Sequence, residues 1–349
     1  MSKEIKFSVI LPICHGGSFL TNALRSLGRM EFPRESFEVL FAGPDNDEDL
    51  RHAVESESAR TNITMKYIGA VQSNRSAQLN AAISQAKGHI LVFADDDCVF
   101  LPDWLHRLGD VFERENNIGV VGGIDRAGTN EPPLNIALDY VLNSFAGTGG
   151  LRRSQGPRVG KYYPKLWNMA ILREVALDVM IRSQGGKSQV FNEALDVHED
   201  VELIDRIEKR GKRIVYAPDV IVMHSRDTTL KSFTCRSFNM ARTSRSIGVH
   251  RLPHISLTAF VLCVIALTFA SIVSEPPRIV LAVVSAIYIV MLMVSALGGF
   301  MRSRQLAVGM YVPLLLIALH FSRGLGYLFP WRGTIKEEND RLQRNAFTD

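Results

Sequence analysis

The sequence predicts an α/β fold with a mostly parallel, Rossmann-like sheet, followed by helices that cross a membrane. Three observations support this. Strand-like and helix-like segments alternate in the first two thirds of the chain, one apolar strand ends in three aspartates, and only four charged residues occur between Ile255 and Ser322. The expected organisation is a soluble domain at 1–235, a basic juxtamembrane segment at 236–254, two or three transmembrane helices at 255–322, and a polar tail at 323–349.

The composition excludes several classes of protein. With 40 Lys and Arg against 36 Asp and Glu, the formal net charge is +4, too balanced for a dedicated nucleic-acid-binding protein. Hydrophobic residues make up 46% of the chain, which excludes global disorder. The four cysteines form no CxxC pair, so neither a zinc site nor a disulfide framework is indicated.

The N-terminal region alternates between two periodicities. Lys6–Ile13 is a short apolar strand, and Leu20, Leu24 and Leu27 then recur at the spacing of an amphipathic helix. The same patterns predict strands at Phe37–Ala42, Ile63–Ile68 and His89–Ala94, and helices at Asp47–Ala59 and Ser73–Ala86. This alternation predicts a doubly wound sheet, in which ligands bind at the carboxyl ends of the strands.

Three consecutive carboxylates, Asp95, Asp96 and Asp97, follow the strand His89–Ala94. Like charges this close repel each other, and a bound cation would offset that repulsion. Residues two apart on an extended chain point the same way, so Asp95 and Asp97 can share a ligand while Asp96 points away. The alternative is a solvated acidic turn or a helix cap before Pro102.

A second acidic pair, Glu199 and Asp200, begins a predicted helix that ends at Gly211. A carboxylate aimed at a substrate hydroxyl acts as a general base. The helix dipole also favours acids at this position, so a purely structural role is the alternative. Two strand segments broken at Pro218 then lead to His224, which on its own would more often be a core histidine than a ligand.

Four segments in this order resemble the family-2 glycosyltransferases of the GT-A fold, especially the membrane-anchored members that build bacterial exopolysaccharides and related glycans. They are FSVILPICH (Phe7–His15), RSAQLNAAISQAKGHILVFADDDCVFLPDWL (Arg75–Leu105), WNMAILREVAL (Trp167–Leu177) and FNEALDVHEDVELIDRIEKRGKRIVYAPDVIVMH (Phe191–His224). The resemblance covers nearly the whole chain. It implies that the domain at 1–235 transfers a sugar, with inversion, from a nucleotide-diphosphate sugar to a hydroxyl.

The resemblance also implies donor-binding residues. In the family the end of the first strand and the following turn hold the nucleotide base, which here means Pro12, Ile13 and His15. A basic residue matched by Arg75 lies near the nucleotide, and Asp96 belongs to the same donor-binding group.

The cation follows from the family's DxD site, which Asp95 and Asp97 match. There Mg²⁺ or Mn²⁺ binds the donor diphosphate, and oxygen ligands suit these hard cations. His224 matches a metal or diphosphate contact of some GT-A enzymes.

On the acceptor side the family's Asn falls on Asn168, and its Glu-Asp pair falls on Glu199 and Asp200, with the second acid as base. Arg236 and Arg242 precede the membrane helices and are expected to hold the diphosphate of a lipid-linked acceptor or anionic membrane lipids. Alternatively, they are ordinary juxtamembrane basic residues.

The chain departs from the family pattern at two points. After the second strand the family has an Asp-Asp-Gly-Ser turn, whereas here only Asp45, displaced by one or two positions, can replace the acid that contacts the base. The QxxRW motif of processive synthases is absent, which favours single addition. A non-catalytic sugar-nucleotide-binding subunit is the alternative function, and it would need no base at Asp200. Nucleotidyl transfer is weaker, because the glycines after the first strand are not followed by a Lys.

Three apolar segments near the C-terminus concern the membrane. Ile255–Val273 and Ile279–Met301 are each long enough for a bilayer core of ~30 Å, while Gln305–Ser322 contains Pro313 and is expected to span, kink or re-enter. Basic residues before the first segment, and the lack of a signal peptide, place the N-terminal domain on the cytosolic side of the inner membrane. A third span would put the tail outside, against its basic residues Arg323, Arg332, Lys336, Arg341 and Arg344.

Overall fold

The computed structural model describes residues 5–70, 74–114, 116–128, 131–150, 162–183, 186–195, 197–226, 228–246 and 252–329. These residues form two compact units. The first holds the described residues up to Gly128 and from Tyr163 to Ser225, and the second holds those in between and those from Arg226 onward. The predicted polar tail beyond residue 329 lies outside the described residues.

Strands and helices alternate in the first unit. In chain order they begin with β1 (Phe7–Pro12), α1 (Gly17–Leu27), β2 (Phe37–Pro44), α2 (Glu48–Thr61), β3 (Thr64–Ala70), α3 (Arg75–Gln85), β4 (Ile90–Phe93), β5 (Cys98–Phe100), α4 (Trp104–Arg114) and β6 (Ile118–Arg126). Two helices of the second unit follow, α5 (Pro133–Asn143) and α6 (Phe145–Thr148). The first unit then resumes with β7 (Met169–Leu172), α7 (Arg173–Asp178), β8 (Ile181–Arg182), β9 (Ser188–Gln189), α8 (Glu199–Lys209) and β10 (Arg213–His224).

The central sheet has eight strands in the order β3-β2-β1-β4-β7-β6-β10-β5. Neighbouring strands are parallel from β3 to β4 and between β6 and β10, and antiparallel at β7 and β5. This confirms the predicted α/β fold with a mostly parallel sheet. Every residue of β1 is buried, and so are Leu20, Leu24 and Leu27, which form the predicted apolar face of α1. Full burial of each Phe, Val, Ile or Leu side chain among them stabilises the fold by about 1.5–3 kcal/mol.

One prediction needs correction near the end of this unit. The two segments expected on either side of Pro218 form the single strand β10. Its register against β6 shifts between Tyr216 and Ile221. Proline has no N–H for the ladder, so it interrupts the pairing without ending the strand.

The second unit is helical and also contains α9 (Leu230–Ser246), α10 (Leu252–Val273), α11 (Glu275–Ser303) and α12 (Leu306–Leu328). By length and composition, α10, α11 and α12 are each able to cross a membrane. Pro313 lies inside α12 without ending it. The neighbouring helices of this unit pack against α12, and their side chains bury its Val312, Leu315 and Leu319.

Candidate active site

The turn between β1 and α1 is held by a buried carboxylate. Asp96 Oδ2 accepts hydrogen bonds from the backbone N–H groups of Cys14, His15 and Gly16 at 3.1, 2.8 and 2.9 Å. Its Oδ1 lies 3.0 Å from the ring Nδ1 of His15. Gly16 and Gly17 have φ angles of 63° and 51°, the left-handed region that glycine adopts most easily. Asp96 therefore fixes the conformation of this turn through these hydrogen bonds.

These hydrogen bonds also decide the charge of the turn. Burial raises the pKa of Asp96, but the bonds from the His15 ring and from the N–H groups of Gly16 and His15 outweigh it, so the pKa lies below its usual range. The bond to Asp96 raises the pKa of His15 in turn. The result is a fixed carboxylate under a partly exposed, more basic imidazole.

Two further predicted nucleotide contacts, Pro12 and Ile13, lie just before this turn, and a third, Asp45, lies after β2. Pro12 ends β1, and the N–H of Ile13 donates to the carbonyl of Ala42 at 2.7 Å. Asp45 follows β2 and is exposed, with its side chain against Gly69 at the end of β3. All three therefore lie where parallel strands end, the edge of the sheet at which ligands bind in such folds.

A second cluster joins the aspartates to the end of β10. His224 Nε2 lies 3.0 Å from Asp97 Oδ2, and its Nδ1 lies 3.8 Å from Asp125 Oδ2. The Trp167 ring packs on the imidazole with a centroid separation of 5.1 Å. Ligand atoms of Asp97, Cys98 and His224 all lie within 4.8 Å of one another, close enough to hold a metal ion.

The chemistry of these donors fits Mg²⁺ or Mn²⁺. Burial raises the pKa of the Cys98 thiol well above its usual range, and the carboxylates of Asp97 and Asp95 add to this effect. A protonated thiol is a poor ligand, and soft sulfur suits these hard cations less well than a carboxylate oxygen does. The carboxylate of Asp97 and the imidazole of His224 remain, and a hard cation held by two side chains keeps positions open for phosphate oxygens.

Arg75 links the aspartates to the second acidic pair. Its Nη2 donates to Asp95 Oδ1, and its Nε lies 3.9 Å from Glu199 Oε1. Burial raises the pKa of Asp95, although the charge of Arg75 opposes the shift. Asp95 thus pairs with Arg75, while Asp97 pairs with His224.

Glu199 and Asp200 form the first turn of α8, and both are buried. His198 precedes them with a φ of 67°, a left-handed conformation that is uncommon outside glycine and turns the chain into the helix. Burial raises the pKa of Glu199 to about 7, and Asp200 adds to the shift while Arg75 opposes it. Asp200 Oδ2 accepts a hydrogen bond from Lys165 Nζ at 2.5 Å.

A comparison with known protein families identifies the family of this chain. The sequence profile of glycosyl transferase family 2 matches residues 8–186, more than half of the 349 residues. The chain belongs to glycosyl transferase family 2. It is thus a family-2 glycosyltransferase related to enzymes of polysaccharide biosynthesis.

Characterised relatives match parts of this glycosyltransferase. It is 28% identical to poly(ribitol-phosphate) beta-N-acetylglucosaminyltransferase TarS of Staphylococcus aureus over 27% of this chain and 16% of TarS. It is 30% identical to the succinoglycan biosynthesis protein ExoM of Rhizobium meliloti over 30% of this chain and 34% of ExoM. The matched region therefore spans about a sixth of one relative and a third of the other.

A solved structure supports the GT-A fold. The mannosyltransferase PcManGT from Pyrobaculum calidifontis superposes with a TM-score of 0.59, covering 91% of this chain and 88% of that one. The sequence identity is 15%, so the likeness concerns the fold alone.

Asn168, which the resemblance places on the acceptor side, is buried in the first unit, and its acceptor role stays a prediction. Its side chain is buried, accepts from Trp104 Nε1 at 3.1 Å and donates to the carbonyls of Ile124 and Val220 at 2.9 and 3.0 Å. It ties α4, β6 and β10 together. A Cβ on Gly123 would approach its amide to 2.2 Å, so the glycine leaves room for this contact.

Arg236 and Arg242 lie on α9 in the second unit, with Arg236 exposed and Arg242 half-buried. The site residues of the glycosyltransferase lie in the first unit. Acceptor binding by these arginines stays a prediction.

Sequence reasoning missed two charged residues of this site, Lys165 and Asp125. A lone lysine in the apolar stretch before Trp167, and a lone acid in the apolar and glycine-rich strand β6, were the available signals. Neither belongs to the four segments that carry the resemblance. Only folding brings Lys165 to Asp200 and Asp125 to His224.

Proposed function

We propose that the protein transfers a sugar, with inversion, from a nucleotide-diphosphate sugar to a hydroxyl of a lipid-linked or glycan acceptor, in a reaction that depends on Mg²⁺ or Mn²⁺. The proposal rests on one arrangement above all. Through Arg75, the Asp95–Asp97 segment and the Glu199–Asp200 pair belong to one charged site at the carboxyl edge of the sheet. Donor-binding and proton-accepting groups are thus neighbours, as group transfer requires.

The donor half comprises the turn after β1 and the cluster around Asp97. The nucleotide base would lie against Pro12, Ile13 and His15, with Asp45 beside it. Asp97 and His224 would hold the cation, which neutralises the charge that develops on the leaving diphosphate. The PcManGT structure holds GDP-Man and Mn²⁺, a donor and a cation of the proposed kinds.

The chemical step is a single displacement. Asp200 accepts the proton of the acceptor hydroxyl while the oxygen of that hydroxyl forms a bond to the anomeric carbon. The bond from that carbon to the diphosphate oxygen breaks, and the nucleoside diphosphate leaves with the electron pair. Lys165 holds Asp200 in place, and an opposite charge this close favours the ionised carboxylate that a base requires. Such general-base assistance typically contributes 10²–10⁴-fold.

The acceptor is proposed to be lipid-linked because the same chain has long apolar helices. Arg236 and Arg242 on α9 would hold its diphosphate or neighbouring anionic headgroups. By name, TarS transfers N-acetylglucosamine to poly(ribitol-phosphate), and ExoM is a succinoglycan biosynthesis protein. We place the catalytic domain on the cytosolic side of the inner membrane.

Two isosteric variants test this proposal. Asp200→Asn should lower turnover by ~10²-fold or more, with little change in the binding of nucleoside diphosphate and Mn²⁺. Asp97→Asn should weaken the Mn²⁺-dependent binding itself. The measurements are transfer from a panel of nucleotide sugars, with and without EDTA, and calorimetric titration of the nucleoside diphosphate. Wild-type turnover by Asp200→Asn would instead favour Glu199 as base or a non-catalytic binding subunit, and full activity in EDTA would exclude the metal.

A further inference from the structure

The apolar helices α10 and α11 form an antiparallel hairpin around Ser274. The rings of Phe260 and Tyr288 lie 5.3 Å apart, and each residue is fourteen positions from Ser274 along the chain. At 1.5 Å per residue this contact lies about 21 Å from the turn. The number of residues from Ser274 therefore gives the position of a residue along the hairpin axis for both helices.

Burial along the hairpin is uneven. From Leu262 to Val294, a stretch that the structure describes without a gap, no residue is buried. Among the described residues, the buried ones lie in the half of the hairpin far from the turn; they are His254, Thr258, Val261, Ser295 and Gly299. The rest of the second unit therefore covers mainly that half, in which α10 begins and α11 ends.

Both ends of α12 lie near the end of the hairpin at which α10 begins and α11 ends. Near its start, a Cβ on Gly309 would meet the carbonyl of Ala296, late in α11. Near its finish, the ring of Tyr327 stacks on His254, at the start of α10, with centroids 5.8 Å apart. A helix of 23 residues is about 35 Å long, so a crossing helix would bring Tyr327 to the level of the turn. It lies at the opposite end.

Contacts in the second half of α12 give its depth. His320 Nδ1 lies 3.0 Å from the Tyr288 hydroxyl, and a Cβ on Gly324 would touch Val261. Tyr288 and Val261 are fourteen and thirteen residues from Ser274, or about 20 Å. In a hydrocarbon core of ~30 Å whose far surface is near the turn, these contacts lie about 10 Å inside the near surface.

The polar helix α9 reinforces this placement. The Arg245 guanidinium donates to the Tyr327 carbonyl at 2.9 Å, and a Cβ on Gly326 would meet the carbonyl of Phe238. α9 exposes Lys231, and a charged side chain at the bilayer centre costs about 2.5–3.5 kcal/mol or more. Because α9 belongs at the membrane surface, the end of α12 packed on it belongs there too.

The outer face of α12 matches acyl chains. Leu306, Met310, Leu314 and Ile317 recur on one side of the helix and are 71%, 65%, 48% and 39% exposed. The opposite side is buried within the unit. An apolar stripe along a helix near the surface fits one leaflet of a bilayer.

We propose that only α10 and α11 cross the membrane, and that α12 lies tilted in the leaflet on the side of α9 with its apolar stripe against phospholipid acyl chains. The chain after α12 then emerges on the side of α9. This agrees with the enrichment of basic residues in cytosolic segments, because the tail carries Arg332, Lys336, Arg341 and Arg344. The proposal is independent of the transfer reaction.

Epitope insertion in the full-length chain tests the crossing number. The same protease-sensitive epitope is placed after Asp349, after Ser274 or after Gly248, between α9 and α10, and sealed membrane vesicles of known orientation are treated with an impermeant protease. We expect cleavage after Asp349 from the same side as after Gly248 and from the side opposite to Ser274. Cleavage after Asp349 from the side of Ser274 would establish three crossings and overturn the proposal.

Photolabelling tests the depth of α12. The wild-type protein is reconstituted with phospholipids carrying a diazirine either near the headgroup or at the end of the acyl chain, and labelled peptides are quantified by mass spectrometry. We expect peptides of α12 to be labelled several-fold more by the shallow probe, and those between Leu262 and Val294 to be labelled by both. Equal labelling of α12 by both probes, or labelling by neither, would contradict the proposal.

Discussion

Replacing Asp96 by Asn tests how the turn after β1 is held. The carboxylate is fully buried and accepts from the N–H groups of Cys14, His15 and Gly16 as well as the His15 ring. Asn keeps the size of the side chain but replaces one acceptor oxygen by an NH₂ group, which opposes these donors. We expect the turn to lose its fixed geometry without a change in packing volume.

The magnitude follows from the number of bonds. A hydrogen bond to a charged group contributes roughly 1.5–3 kcal/mol, and a buried donor left without its partner costs roughly 1–3 kcal/mol. Since one oxygen of the side chain remains, we expect the free energy of unfolding to fall by about 3 kcal/mol. The KM for the nucleotide sugar should rise about tenfold, with a smaller change in kcat, because Asp96 orients the binding turn and does not touch the reacting atoms.

The loss should also depend on pH. The pKa of Asp96 is lowered in the folded protein, so its carboxylate contributes stability above the unfolded value near 3.9 and loses that contribution as the pH falls through the folded value. The difference between wild type and Asp96→Asn should therefore be largest near neutral pH and shrink below about pH 4.

Thermal unfolding in detergent at several pH values, together with donor-dependent transfer rates, measures these effects. Asp103→Asn is the matched control, because the Asp103 side chain is 42% exposed and pairs with Arg107 on the surface. Such pairs contribute roughly 0–1 kcal/mol. If Asp96→Asn had the stability and KM of Asp103→Asn, the carboxylate would not be what holds the turn.

Three further predictions concern charges around the site. Lys165→Met should lower kcat about tenfold or more at an unchanged donor KM, and Lys165→Arg should restore part of it, because the cation holds Asp200; an unchanged kcat would contradict this. Between about pH 4.3 and 7 the free energy of unfolding of the wild type should fall as the pH rises, because the pKa of Glu199 is raised in the folded protein. Glu199→Gln should remove this fall. Scanning calorimetry at pH 5 and 8 measures it, and an equal change with pH in both proteins would contradict the prediction. Cys98→Ala should leave the Mn²⁺ concentration for half-maximal transfer within about twofold, whereas His224→Ala should raise it about tenfold or more; the reverse ranking would make the thiol a ligand.

Most elements of the first unit follow from local patterns. The strands predicted at Phe37–Ala42 and His89–Ala94 match β2 and β4 to within two residues at each end. A strand that is buried on both faces of a sheet consists of a continuous run of apolar residues, so its own composition is enough to predict it. The interruption at Pro218 was predicted as a break, because sequence alone does not show that both halves pair with the same neighbouring strand.

The sequence was enough to single out the acidic residues of the candidate site, but not the side chains with which they pair. Asp97 and Asp200 stand out because carboxylates follow apolar strands or begin helices. The sequence suggested that Asp95 and Asp97 share one ligand, and this stays a prediction; it did not show that Asp95 pairs with Arg75 and Asp97 with His224. Each partner comes from a distant part of the chain, so its distance depends on the register of the sheet.

By itself, then, the sequence determined the α/β alternation, the acidic segments at strand and helix ends, and three helices apolar enough for a membrane. These features depend on periodicity and composition, which act over a few residues. Only the tertiary structure decided which basic side chain pairs with which carboxylate, that Asn168 is buried, and that Tyr327 lies beside the beginning of α10. Such features depend on distances between residues far apart in the chain, and those distances are set when the helices and strands pack together.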